Sequence, residues 1–269
     1  MPQPFDQLPS SVLALARRVR LPGDVPALLV HPHLDRTSGT VTRPAPVLVW
    51  MHGRTVAKEL DPGRYLRLAR AGIASCALDL PGHGERADMG MQEAGMTLEV
   101  VERMAGELPA VEAWLAESGE HEGCRLAIGG MSAGGMAAMV RLCRPHPYAA
   151  ALLECTTGSW RWQRGRAMHD PARAGRLDPV AHLDGWRAIP VLALHNELDE
   201  WVSVDGQREF VEAVRARSPG TDVELRTFGP TGAPAEHSGF GRHASEAKSL
   251  GVDFLARILA PDAVSSGAP

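Results

Sequence analysis

The chain has no large excess of charge of either sign: 28 Lys and Arg against 32 Asp and Glu leave a formal net charge of -4. Without a basic balance, nucleic acid is not an expected partner. No apolar run approaches the length of a membrane span, so no membrane association is expected. The four cysteines, Cys76, Cys124, Cys143 and Cys155, form no C-x-x-C pair. Three lie in or beside apolar segments, where a buried free thiol is the commoner state, and a reducing compartment is expected. Near the amino end, Val12 to Ala16 is too short for the apolar core of a signal peptide, and Arg17, Arg18 and Arg20 follow it rather than precede it. A cytoplasmic protein is expected. No G-x-G-x-x-G follows the first apolar runs, which argues against a dinucleotide-dependent oxidoreductase.

What is present is apolar residue in quantity, 44% of 269 positions, enough for a sizeable core. Short runs rich in β-branched residues at Ala27-Val30, Pro46-Met51, Ile73-Leu78, Arg125-Gly129, Ala150-Leu153, Pro190-Leu194 and Val223-Phe228 read as strands. Segments with helical periodicity lie between or after them, at 62–71, 98–117, 135–143, 203–217 and 242–259. Strands alternating with helices predict an α/β protein with a mostly parallel central sheet of about seven or eight strands and helices on both faces. Val-Leu-Val-Trp at 47–50 suits a strand covered on both sides. The expected organisation is one domain over residues 1–260, with a lid-like excursion at 156–187 and a frayed tail at 261–269.

Residues 126–137 carry the most specific signal. An apolar run ends in Gly130-Met131-Ser132-Ala133-Gly134, a G-x-S-x-G between strand and helix, where a sharp turn exposes the serine oxygen to a base. Upstream, His52-Gly53-Arg54-Thr55 follows another strand. In a parallel sheet both turns open on one edge, so the backbone N-H groups of Arg54 and Ala133 are expected to converge on one oxyanion. Downstream, Asp199 lies just beyond a strand end and is the expected acid, with Glu154 as alternative. His237, in the loop 229–239, is the expected base, with His243 as alternative. His83 and Asp79, in a Gly-rich loop, read as loop-shaping residues.

With Ser132, Asp199 and His237 in that order, the chain resembles the α/β-hydrolase family over about residues 25–258, since that order belongs to this fold and to neither of the other common triad scaffolds. His52-Gly53 resembles the family's oxyanion loop and Asp79-Leu80-Pro81-Gly82-His83-Gly84 its D-x-P-G-H-G loop. His195 to Val202 resembles its H-G-x-x-D-x-x-V acid loop, with Asn196 in place of the glycine. The compact length is similar to dienelactone-hydrolase-like and prolyl-oligopeptidase-like esterases, although dienelactone hydrolases carry cysteine where Ser132 stands.

The resemblance implies a serine hydrolase cleaving a small-molecule carboxylic ester, with no metal and no cofactor. A thioesterase, lactonase or small-peptide amidase would use the same residues. A non-catalytic ligand- or partner-binding protein would usually have lost one of them. Arg54, Met131, Trp160, Trp162 and Trp201 are the expected substrate contacts. Trp160 and Trp162 with Arg161, Arg164 and Arg166 read either as an aromatic and cationic wall or as the outer face of a surface lid.

Overall fold

A computed structural model describes residues 5–259; the expected frayed tail, 261–269, lies outside the described residues. Eight strands form one sheet: β1 (Ala16–Leu21), β2 (Val25–Val30), β3 (Val47–Met51), β4 (Ala74–Leu78), β5 (Leu126–Met131), β6 (Ala150–Glu154), β7 (Val191–Asn196) and β8 (Val223–Phe228). Their spatial order is β1-β2-β4-β3-β5-β6-β7-β8. The β1–β2 and β2–β4 pairings are antiparallel, and every other neighbouring pair is parallel. Among the described residues seven α-helices accompany them: α1 (Ser10–Leu13), α2 (Pro62–Arg70), α3 (Thr97–Glu117), α4 (Ala133–Leu142), α5 (Pro171–Leu177), α6 (Val204–Arg217) and α7 (Ala244–Leu259). Among the described residues no helix is long and apolar enough to cross a membrane.

Strand periodicity sorts the core into two layers. Along β3, Val47, Val49 and Met51 point to the side covered by α3, α4 and α6, whereas Leu48 and Trp50 point to the side covered by α2 and α7. Each fully buried Leu, Val or Met contributes roughly 1.5–3 kcal/mol. A two-sided seal of this kind explains why the central strands are continuously apolar. On the first side, Arg141 of α4 donates to both carboxylate oxygens of Glu112 of α3 at 2.8 and 2.6 Å. This buried bidentate pair fixes how the two helices face each other.

The expected helices are all present with ends shifted by one or two residues. β1 is additional to the seven strands read from the sequence. Its sequence, Ala-Arg-Arg-Val-Arg-Leu, alternates exposed arginines with buried or half-buried residues, as an edge strand with one wet face should. Its arginines disguise it as a polar segment.

Several buried groups tie stability to pH. Burial pushes the imidazoles of His31 and His83 down from 6.5 to about 4. Between those values the unfolded chain binds protons that the folded chain does not, so stability must fall as pH is lowered through that window. Thermal melts from pH 7 to pH 4 are expected to show a steady fall in Tm, and the His31→Gln, His83→Gln double variant should flatten it. A flat Tm in the parent protein would contradict the assignment.

Candidate active site

The carboxyl ends of β3, β5, β6 and β7 converge on one edge of the sheet, and the chemistry-bearing turns follow them. Ser132 stands between β5 and α4 with φ 52° and ψ -120°, a left-handed conformation that a non-glycine residue adopts only when its surroundings impose it. They do. Its N-H donates to the Glu154 carbonyl at 2.9 Å, and its carbonyl accepts from Met136 N at 2.9 Å and from Thr156 Oγ1 at 2.8 Å.

Close backbone approach makes the same turn dependent on glycine. A Cβ on Gly134 would lie 2.3 Å from the Met51 carbonyl oxygen and 2.5 Å from that of His52. Those atoms belong to rigid backbone that cannot swing aside. Gly134→Ala is therefore expected to cost about 3 kcal/mol, read in a thermal melt as a fall of roughly 6–12 °C in Tm. Gly106→Ala in α3, where a Cβ meets nothing within 4 Å, should instead raise Tm.

His237 lies against the serine. Its Nε2 is 2.9 Å from Ser132 Oγ and its Nδ1 is 2.7 Å from Asp199 Oδ2. The other carboxylate oxygen of Asp199 accepts from the backbone N-H groups of Trp201 and Val202 at 2.9 and 2.8 Å. Burial alone would raise the Asp199 pKa, but the hydrogen bonds from His195 and His237, with the backbone donors, hold it well below the usual carboxylate range. All three residues are buried, yet Ser132 and His237 open onto a cavity of about 570 Å³.

The histidine loop is braced by the residue that departs from the family pattern. Asn196 Nδ2 donates to the carbonyls of Glu236 and Gly239, the latter at 2.8 Å. A glycine at 196 could not make these bonds, so the substitution has a structural use here. Trp201 lies over the His237 ring with centroids 5.1 Å apart.

Gly53 and Arg54 face the serine turn across the cavity floor. An added Cβ on Gly53 would be 3.5 Å from Ser132 Cβ, so the two turns are in near contact. The amide of Ala133, first residue of α4, has no preceding turn to bond. The β3 turn is locked from behind by Asp79, whose carboxylate accepts from Lys58 N at 3.0 Å, Lys58 Nζ at 2.8 Å and Glu85 N at 2.9 Å. Lys58, buried among Asp79, Glu85 and Glu59, was not singled out from the sequence, because a lone lysine in a loop carries no signal of its partners. His83 donates from Nδ1 to the Pro81 carbonyl at 2.8 Å and stays within its own loop, as a loop-shaping residue should.

The alternatives fall elsewhere. Glu154 turns away to the other side of the sheet, where its Oε2 accepts from Arg64 Nη2 at 2.8 Å. His243 packs on Phe228.

The expected substrate contacts divide. Arg54, Met131 and Trp201 line the cavity, together with Val56, Leu60, Thr97, Arg166 and Met168. Trp160 and Trp162 do not. Trp160 is 2% exposed in the core, and its backbone N-H donates to Asp178 Oδ2 at 3.2 Å. Trp162 donates from Nε1 to Glu209 of α6 at 2.8 Å, and Arg161 pairs with the same carboxylate at 2.7 Å. The short 3₁₀ turn at 160–163 therefore docks on α6, so these two tryptophans form no cavity wall. Of the three arginines grouped with them, only Arg166 lines the cavity.

Comparison with known proteins bears on the fold. No protein-family model matches the chain, and no curated protein does. Among solved structures it is similar to TT1662 from Thermus thermophilus, at 20% identity and TM-score 0.71, over 92% of this chain and 98% of that one. Thermogutta terrifontis esterase 2 is similar at 18% identity and TM-score 0.68, over 97% and 100% of the two chains. A puromycin-hydrolyzing peptidase from Mycobacterium tuberculosis is similar at 19% identity and TM-score 0.72, over 95% of this chain but only 41% of that one. The chain has the α/β-hydrolase fold.

Proposed function

We propose that this α/β-hydrolase-fold chain is a serine hydrolase that cleaves a carboxylic ester of a small molecule through an acyl-enzyme. The observation that carries the reading is the continuous chain of hydrogen bonds from Ser132 Oγ through His237 to Asp199 at the floor of an open cavity. His237 Nδ1-H donates to Asp199, which leaves Nε2 free to accept the serine proton.

In the reading proposed, Ser132 Oγ attacks the ester carbonyl as its proton passes to His237 Nε2. The carbonyl electron pair moves onto oxygen, where the Arg54 and Ala133 N-H groups and the positive end of α4 stabilise it. As the C-O bond breaks, the Nε2 proton goes to the departing alcohol. Water then attacks the acyl-enzyme, giving its proton to Nε2, and the acid leaves as that proton returns to Ser132. Asp199 keeps the imidazole in the required tautomer and balances the imidazolium. The likeness to Thermogutta terrifontis esterase 2, which is phosphoramylated by tabun, supports an organophosphorus probe as the test. A fluorophosphonate is expected to label Ser132 and no other residue, as located by peptide mass. An intact, unlabelled Ser132 would refute an activated nucleophile. A panel of p-nitrophenyl esters, acyl thioesters and aminoacyl anilides then ranks the bond classes, with the ester expected to have the highest kcat/KM.

A further inference from the structure

The cavity above Ser132 is mainly apolar, walled by Val56, Leu60, Met131, Met168 and Trp201, yet two arginines, Arg54 and Arg166, are among its lining residues and no Asp or Glu is. Arg54 is half-buried, and its Nη1 donates to the Gln92 carbonyl at 2.5 Å, which anchors the side chain of a residue that lines the same cavity as Ser132. Arg166, from the segment between β6 and β7, donates from Nη1 to the Glu200 carbonyl. Elsewhere, arginines such as Arg86, Arg141, Arg161 and Arg173 each reach a carboxylate. Among the described residues none pairs with Arg54 or Arg166.

A guanidinium offers five N-H donors, so most of Arg54's remain for an occupant. Burial without a counter-ion pushes its pKa down, although a guanidinium stays charged. A neutral ester filling the cavity would strip water from that charge and return nothing. A carboxylate would pair with it in a planar fork. We propose that Arg54, with Arg166, recognises a carboxylate on the substrate, making the ester cleaved at Ser132 a half-ester of a short dicarboxylic acid. This rests on the serine-hydrolase reading. The spacer is short because the residue proposed to give its backbone N-H to the oxyanion also supplies the guanidinium. One carboxylate plus one developing oxyanion also balances two guanidiniums, whereas a phosphate dianion would leave an excess of negative charge.

The test separates recognition from chemistry. In the Ser132→Ala chain, calorimetry compares methyl hydrogen glutarate with methyl pentanoate. The glutarate ester is expected to bind at least about 10-fold tighter than the neutral one, the order of a charge-assisted bidentate pair. Adding Arg54→Gln should bring that ratio to within about twofold, and Arg54→Lys should restore part of it, since it keeps the charge and loses the fork. Each readout is a ratio of two ligands on one protein, so general loosening of the cavity cancels. Equal binding of the carboxylate and neutral esters, or a preference surviving in the Arg54→Gln, Arg166→Gln double variant, would overturn the proposal. A clear carboxylate preference in a protein whose Ser132 resists fluorophosphonate would instead uphold recognition and refute the hydrolase reading.

Discussion

Ser132→Ala is expected to lower kcat on an activated aryl ester by about 10⁶-fold, to what oxyanion donors and binding leave when a triad nucleophile is removed. Fluorophosphonate labelling should vanish with it. The protein should stay folded, because the serine backbone is held by Glu154, Met136 and Thr156, while among the described residues the Oγ is bonded only to His237. An alanine can occupy the same left-handed position, and the strain at φ 52° is already sustained by the packing of Gly130 and Gly134. The expected change in Tm is therefore less than roughly 4 °C. Loss of turnover with an unchanged melt would distinguish a missing nucleophile from a collapsed site. Full turnover by the alanine variant would place the chemistry on another residue.

The parts of this site visible in the sequence are those whose requirements are local. A serine held in a strand-to-helix turn needs small neighbours within a few residues, and Gly130 and Gly134 are there because backbone from β3 and α4 presses against them. Asp199 and His237 are legible from chain order together with their places in the loops that follow β7 and β8. The cavity lining was not legible, because it depends on which side of the 156–187 segment docks on the body. Trp160 and Trp162 look like recognition residues in the sequence. A tie between Trp160 N and Asp178, and the attraction of Glu209 for Trp162 and Arg161, turn that part of the segment onto α6. Arg166 is left facing the cavity. Asn196 shows the same limit from the other side: as a departure from a motif it suggests a weaker turn, and only the fold reveals the histidine loop across from it. β1 was hidden for a related reason, since an edge strand needs only one apolar face.

Asp199→Asn is expected to reduce kcat by about 10⁴-fold, and the geometry says why so small a change should act so strongly. Asp199 Oδ1 accepts two backbone N-H groups, from Trp201 and Val202. An amide NH2 cannot replace that oxygen without setting donor against donor, so the asparagine must keep its oxygen there and turn its NH2 toward His237. There it meets Nδ1 at the 2.7 Å now spanned by the carboxylate bond. The ring can accept that donor only by moving its own proton to Nε2, the nitrogen that faces Ser132 Oγ at 2.9 Å. A base whose lone pair has been exchanged for a proton cannot deprotonate the serine. The nucleophile, cavity and oxyanion donors all remain, so labelling by fluorophosphonate should slow in parallel with kcat while binding of the uncleaved ester is kept. Glu154→Gln provides the contrast: burial pushes that carboxyl's pKa up, and its partner is Arg64. Its loss should lower Tm and leave the histidine tautomer as it was. If Glu154→Gln, and not Asp199→Asn, removed turnover from the folded protein, the acid would have to be reassigned against the geometry.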